Sequence, residues 1–193
     1  MNKTKRKIFD TSLKLFSEKG FDATSIEEIT AIVGVAKGTL YYHFKSKEEI
    51  FEFLVDEGVK LIINSIEIKT SKVESYIDKL KAVSLVQLKA VNKYEDLLTV
   101  VMSHTWGNET KNVFCRDKVS EYIDVVQKYI DEGIEKGEII DCDSRLLASE
   151  IFSLTCSTLI YKRTVGDENF DIQKIYHEYE KTLFKKLENS RGM

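Results

Sequence analysis

The chain has 193 residues, which suits one large domain or two small ones, and 42% of them are hydrophobic, enough for a substantial core. It contains no proline and only nine glycines, and no segment alternates polar and apolar residues, so we expect long helices and an all-α fold. Cys115, Cys142 and Cys156 have no paired spacing, which is typical of a reduced cytoplasmic protein. No apolar run is long enough (~18 residues) to span a membrane, and the basic N-terminus lacks the apolar stretch of a signal peptide.

The net charge of −3 is unevenly distributed along the chain. Residues 1–47 carry nine Lys and Arg against five Asp and Glu, a net charge of +4. The remaining residues carry 20 basic against 27 acidic side chains, a net charge of −7. The overall charge argues against a nucleic-acid-binding protein, but a basic end on an acidic body is what local binding to phosphates predicts.

The first predicted helix covers residues 3–19. Phe9, Leu13 and Phe16 recur at helical spacing and give it one apolar face. Gly20 ends this helix as a residue with left-handed backbone, which would bring Phe16 and Phe21 into contact across the helix end.

Residues 24–47 predict two short helices joined by a tight turn. Thr24 and Ser25 are each followed by a glutamate three residues later, so either can begin a helix through a capping box. Gly34 can adopt left-handed backbone without steric cost and ends that helix. A second helix runs from about residue 36 to 43, with Leu40 and Phe44 directed inward. A third capping box, 46–49, starts the next helix at once. Two helices joined by a turn of this length are the helix-turn-helix pattern, whose second helix enters the DNA major groove.

The outer face of the second helix has the chemistry for DNA contact. Lys37 can reach a phosphate or a guanine edge, and Thr39 can contact a phosphate or a thymine methyl group. Gly38 lets the helix backbone come close to DNA, and Tyr41 and Tyr42 offer hydroxyls to phosphate oxygens. The alternative interpretation is a solvated helix that carries two amphipathic tyrosines.

This stretch resembles the DNA-binding domain of the TetR family of bacterial transcriptional regulators. The resemblance covers about the first quarter of the chain and rests on Gly20, Phe21, Thr24, Ile29, Gly34, Val35, the run 37–44 and Lys47. It implies that Lys37, Gly38 and Thr39 face bases, whereas Thr24, Tyr41, Tyr42, His43 and Lys47 hold phosphates. The remainder resembles the family only in its length and helical character. We therefore expect a helix-turn-helix DNA-binding domain at 1–47 and a helical effector-binding and dimerisation domain at 48–193.

Six further helices are predicted, at about 46–69, 73–92, 95–106, 116–136, 143–164 and 171–188, which makes about nine in all. The helix at 46–69 begins in the DNA-binding domain and ends in the body, with no linker between them. It is therefore a candidate lever that would move the DNA-reading helices when the body changes shape.

The last two predicted helices form a candidate dimer interface. Residues 146–160 are apolar nearly all round the helix, so they need cover on more than one side. In the final helix, apolar residues at 172, 176, 179, 183 and 187 approximate a heptad seam. Two such helices from each of two chains would form a four-helix homodimer interface through residues 143–188, as the resemblance also implies. The alternative is a helical hairpin buried within a monomer.

In the TetR family the body holds a pocket for a small effector. Aromatic and apolar side chains with a few polar groups line most ligand sites. The candidates are Tyr94, Met102, His104, Trp106, Phe114, Phe152, Cys156 and Tyr161. Core packing is the competing interpretation for each of them. No cluster of charges suggests a strongly charged ligand, so we expect an apolar or aromatic effector.

No enzymatic chemistry is expected. The three histidines lie far apart and none has a second metal ligand at metal-binding spacing, so no metal or other cofactor is expected. Cys115 has no neighbour that would activate it, and we expect it to be a small buried side chain.

The sequence thus predicts a cytoplasmic, homodimeric TetR-like repressor, with no membrane partner, that binds a palindromic operator and is released by a small effector. The alternatives are a DNA-binding protein controlled by a protein partner or by no ligand, and a helical enzyme.

Overall fold

The computed structural model describes residues 2–188, so Met1 and the last five residues of the predicted 48–193 domain lie outside the described residues. The prediction of an all-α fold with about nine helices is confirmed. The helices are α1 (Lys3–Lys19), α2 (Ile26–Val33), α3 (Lys37–His43), α4 (Lys47–Thr70), α5 (Tyr76–Lys93), α6 (Glu95–Ser103), α7 (Thr110–Glu135), α8 (Ser144–Val165) and α9 (Ile172–Tyr179). A 3-10 turn, Asp167–Asn169, precedes α9, and a π-helical turn, Glu180–Phe184, and a last α-helical turn, Lys185–Leu187, continue it. No helix within 2–188 is long and apolar enough to cross a membrane.

The largest differences from the predicted bounds occur around the α6–α7 connection. The helix predicted at 95–106 ends at Ser103, where the Ser103 hydroxyl donates to the Val100 carbonyl at 3.0 Å. The helix predicted at 116–136 begins six residues earlier, at Thr110. There the Asn112 side chain accepts a hydrogen bond from the Glu109 amide at 3.2 Å, which stabilises the new helix start.

The chain divides into two compact units, and the first contains residues 1–59 and 94–118. Its core is an aromatic cluster in which Phe21 lies with its ring centroid 5.2 Å from both Phe16 and Phe51. The predicted contact between Phe16 and Phe21 is thus confirmed. Gly20 between them has φ +87° and ψ 161°, a positive φ but not the left-handed helical backbone that we expected.

Segments distant in sequence complete the first unit. The Ser17 hydroxyl lies 2.9 Å from an Asp96 carboxylate oxygen, and Lys111 forms an ion pair with Asp22 at 2.7 Å. The His104 ring packs on Phe51 with a centroid separation of 4.8 Å. Packing therefore joins α6 and the start of α7 to the N-terminal helices. The division between residues 47 and 48 remains a prediction about function, because the packing boundary falls after Val59, within α4.

The second unit contains residues 60–93 and 119–193, of which the structure describes those up to 188. Helix α5 lies in its core and packs on α8 and α9. The chain end is anchored there, because Phe184 and Leu187 are buried and the Ile140 amide donates to the Leu187 carbonyl at 3.0 Å. Helix α9 itself contains no buried residue.

Candidate nucleic-acid interface

The turn between α2 and α3 is built as the sequence predicts. Of the two possible capping residues, Ser25 caps α2, since its hydroxyl accepts a hydrogen bond from the Glu28 amide at 3.1 Å. Gly34 ends the helix with left-handed backbone, φ +75° and ψ 40°, and its amide donates to the Thr30 carbonyl at 2.9 Å. This turn fixes the angle at which α3 leaves α2, and so determines which face of α3 meets solvent.

Helix α3 presents its polar and aromatic side chains to solvent. Leu40 and Phe44 are buried, as predicted, and hold the helix on the first unit. On the outside, Tyr42 is 84% exposed and Tyr41 44% exposed. The His43 ring stacks edge-on against Tyr42, with centroids 5.1 Å apart. The two tyrosines are therefore available to a ligand outside the chain.

Gly38 lies on the same open surface. Apart from its chain neighbours and the backbone of its own helix, a Cβ atom built there would meet no atom within 4 Å, and its φ is not in the left-handed region. Neither backbone conformation nor packing within the protein therefore requires a glycine at this position. A glycine in the first turn of an exposed helix weakens that helix, which makes close approach of an outside molecule the best physical reason for it.

Lys37 of α3 is held by an ion pair with Glu27 of α2. Its Nζ lies 2.5 Å from the carboxylate, and both side chains are exposed. The hydrogen bond to Lys37 lowers the pKa of Glu27, and the same bond raises the pKa of Lys37, so both remain charged near neutral pH. In a DNA complex the Glu27 carboxylate would compete with a phosphate or a guanine for the same ammonium group.

Glu27→Gln is expected to raise DNA affinity by about two- to fivefold, because Lys37 no longer has to leave an anionic partner. Fluorescence anisotropy with an operator duplex measures this change. Glu18→Gln is the matched control, since it removes the same charge from an exposed position of α1. An equal gain in both variants would mean that net charge, and not release of Lys37, is responsible.

Lys47, which we predicted to bind phosphate, has partners within the protein. Its Nζ donates to the carbonyls of Phe21 and Thr24, each at 2.8 Å, and lies 4.4 Å from the centre of the Phe21 ring. The Thr24 side chain is only 1% exposed, and its hydroxyl donates to the Gly20 carbonyl at 2.9 Å. Both residues thus stabilise the turn that positions α2. Their phosphate contacts remain predictions, and the hydrogen bonds seen here do not favour them.

Lys47→Ala is expected to lower the free energy of unfolding by about 1–3 kcal/mol, because it leaves backbone carbonyls of the 21–24 turn without a charged donor. Urea denaturation measures this loss, with Lys45→Ala, an exposed lysine two residues earlier, as the control. If stability is unchanged and the salt dependence of DNA binding falls by about one unit instead, Lys47 contacts a phosphate as the sequence predicted.

The predicted effector residues are divided between the two units. Tyr94, Met102, His104, Trp106 and Phe114 belong to the first unit, and Phe152, Cys156 and Tyr161 to the second. His104 is buried against Phe21 and Phe51, whereas Trp106 is 79% exposed. Phe152 packs on Tyr122, with ring centroids 5.3 Å apart, and Tyr161 lines a surface groove. Their role in effector binding remains a prediction, and the eight do not form one cluster within either unit.

The structure gives Cys115 a packing role. The side chain is fully buried, and burial raises the pKa of its thiol to about 12, so it stays protonated near neutral pH. Its expected burial is confirmed. Within residues 2–188, no group of three or more His, Cys, Asp or Glu side chains is placed to hold a metal ion.

Comparison with known proteins identifies the family. The profile described as "Bacterial regulatory proteins, tetR family" matches residues 8–54, which contain α2 and α3. A solved Clostridium perfringens structure, provisionally named as a fatty acid metabolism regulator, is 32% identical, with a TM-score of 0.88 over 94% of this chain and 98% of that one. The chain belongs to the TetR family. Its helix-turn-helix and all-α body are therefore those of a transcriptional regulator.

Two other proteins are similar to this TetR-family chain, one in part of its sequence and one in its fold. IcaR from Staphylococcus aureus, a negative regulator of the biofilm operon icaADBC, is 41% identical over 76 residues, 39% of this chain. The matched stretch is 41% or less of the length of the curated relatives. The regulator FadR from Bacillus subtilis, solved with stearoyl-CoA, is 22% identical with a TM-score of 0.82 over 94% of this chain and 98% of that one, and so shares the fold.

Proposed function

We propose that the protein is a transcriptional repressor that binds a palindromic operator as a homodimer and is released by a small apolar effector. The observation that carries this proposal is the outer face of α3, where Tyr41 and Tyr42 stand exposed beside the open position of Gly38. Lys37, Gly38 and Thr39 would face bases, with the tyrosines and His43 on phosphates. Repression is supported by IcaR, a negative regulator that is 41% identical to this chain over 76 residues.

The second unit supports a homodimer through residues 143–188. Ile160 on α8 is 59% exposed, as is Leu146, while α9 buries none of its own residues. A groove of about 430 Å³ between α8 and the α9 region is lined by Tyr161, Ile175 and Tyr179 among others. Several exposed apolar side chains on two neighbouring helices form a surface that favours contact with a protein partner. A second copy of the chain is the simplest one, because helix-turn-helix dimers read paired half-sites.

The effector we propose is a fatty acyl compound, an acyl-CoA in particular. The Clostridium perfringens relative is named for fatty acid metabolism, and Bacillus subtilis FadR was solved with stearoyl-CoA. The acyl chain of such a compound agrees with the apolar effector that the sequence predicts, whereas the charged phosphates of CoA were not predicted. The site would lie in the second unit, whose core is formed by α5 and its neighbours.

Release of DNA requires that the effector bind a non-DNA-binding arrangement more tightly than the DNA-binding one. Helices α4 and α7 are continuous and contribute residues to both compact units, the first unit ending at Val59 in α4 and at Lys118 in α7. A shift of either helix at the effector end would therefore be transmitted to the unit that carries α3. The proposed lever thus has two helices rather than one.

The test is selection of bound duplexes from a random DNA pool, followed by a salt titration on the selected sequence. We expect a palindrome whose half-sites lie about one helical turn apart, with affinity that falls steeply as salt rises. Acyl-CoAs of different chain length are then tested for release of that duplex. Binding without any enriched motif would overturn the specific repressor. A tight palindromic complex that no compound releases would indicate control by a protein partner or by no ligand.

A further inference from the structure

The core of the second unit contains a cluster of buried polar side chains. Ser84 and Gln87 lie three residues apart on one face of α5, and both are buried. Gln87 uses both hydrogens of its amide nitrogen, one on the Tyr122 hydroxyl at 2.6 Å and one on the Ile151 carbonyl at 3.0 Å. The cluster therefore connects α5 with α7 and α8, and the hydrogen bond to a backbone carbonyl fixes the orientation of the amide.

Three hydrogen-bonding positions of this cluster are not used within the described chain. The amide oxygen of Gln87 and the hydroxyl of Ser84 are buried without a partner. The Tyr122 hydroxyl accepts from Gln87, so its own hydrogen is free to donate. Burial of an unpartnered polar group is unfavourable, so two of them beside a hydroxyl with an unused hydrogen favour a role outside packing.

The side chain of Phe152 connects this cluster with the surface of the unit. Its ring is half-buried and packs on Tyr122 with centroids 5.3 Å apart. Cys156, also half-buried, lies one turn further along the same face of α8. These two residues were among the predicted effector contacts, and both lie beside the α8 segment whose Ile151 carbonyl holds Gln87.

We infer that Ser84, Gln87 and Tyr122 form the polar anchor of the effector site and select a neutral amide or thioester group over a carboxylate. This inference rests on the proposed function. The Tyr122 hydroxyl would donate to the carbonyl of the ligand, while the Gln87 oxygen would accept from an N–H group. Ser84 can do either. An acyl-CoA carries a thioester carbonyl and amide groups, and so has both kinds of partner.

A free carboxylate fits the same cluster poorly. The unused Gln87 oxygen would face a negative charge, and the anchor residues themselves include no cation. The Tyr122 hydroxyl stays neutral, because burial strongly raises its pKa. Moving an ionised group into such surroundings without a counter-charge is strongly unfavourable. The anchor would therefore distinguish an activated or amidated fatty chain from the fatty acid itself.

The probes are dodecanamide, dodecanoyl-CoA and dodecanoate, compared at pH 8 with the full-length protein. Each compound is added at increasing concentration, and two quantities are measured: the melting temperature of the protein and the release of the selected operator duplex. We expect the amide and the CoA ester to bind at least about tenfold more tightly than the carboxylate. Ser84→Ala should weaken binding of the amide by about fivefold to tenfold, the equivalent of one neutral hydrogen bond.

Ser12→Ala is the matched control, because Ser12 is also fully buried with an unpartnered hydroxyl but belongs to the first unit. Both variants should melt no lower than the parent protein, which shows that they fold. Ligand responses that are alike in the two variants would overturn the anchor and indicate that the cluster holds an ordered water only. Equal binding of amide and carboxylate, or no binding of any probe, would overturn it as well. If the protein still selects a palindrome, these results count against the anchor alone. If it selects none, the proposed repressor function itself is wrong.

Discussion

Gly38→Ala is expected to lower operator affinity by about 10- to 100-fold while leaving the free protein at least as stable as the parent. Apart from its chain neighbours and the backbone of α3, the methyl group would meet no atom of the protein within 4 Å, and alanine is the better helix former by about 0.5–1 kcal/mol. On the DNA side, the same methyl group would occupy the space through which the start of α3 approaches the bases. Stability and binding should therefore change in opposite directions, which general damage to the fold cannot produce.

Gly34→Ala supplies the reciprocal control for this experiment. Gly34 has left-handed backbone at φ +75°, so a side chain costs about 1–2 kcal/mol there even though a Cβ atom would have free space. This variant should lose stability and retain most of its DNA affinity where it is folded. Urea denaturation and anisotropy on the selected palindrome measure the two quantities. Unchanged binding by Gly38→Ala would show that the first turn of α3 does not approach DNA closely.

The DNA-reading part of the molecule could be predicted because its signals are local. Ser25 and Gly34 mark the two ends of α2 with their own side chain or backbone, within four residues of the groups they bond. Leu40 and Phe44 are buried one turn apart, so helical spacing alone identified the inner face of α3. The solvent-exposed face of α3 is then the opposite one.

The partners of Lys47 could not be predicted in this way. An ammonium group near a basic helix-turn-helix suggests a phosphate, but here the lysine reaches carbonyls 23 and 26 residues earlier in the chain. The ion pair of Lys111 with Asp22 joins residues 89 positions apart, and no sequence pattern records such a pair. Long flexible side chains have several possible partners, and only the packed structure selects among them.

The polar anchor was missed for a related reason. A serine and a glutamine on a helix are normally assigned to its solvent face, because burial of an unpartnered polar group is unfavourable. On α5 the two residues point into the core, between positions such as Leu80 and Leu88 that are fully apolar. Helix α5 thus departs from the usual pattern of buried apolar and exposed polar residues, and such departures are expected at functional sites.

Ile160→Glu is expected to convert the proposed homodimer into a monomer and to lower operator affinity by about 10²- to 10⁴-fold, because each half-site would then be bound independently. The residue is 59% exposed in the single chain, so glutamate costs little there. In a dimer through α8 and α9, the same carboxylate would be buried in both subunits without a counter-charge. Sedimentation velocity gives the oligomeric state and anisotropy the affinity. Ile68→Glu, a substitution of a 72% exposed isoleucine on α4, should leave both unchanged. A dimer that survives Ile160→Glu with full affinity would place the interface elsewhere and leave the exposed side of α8 in contact with solvent.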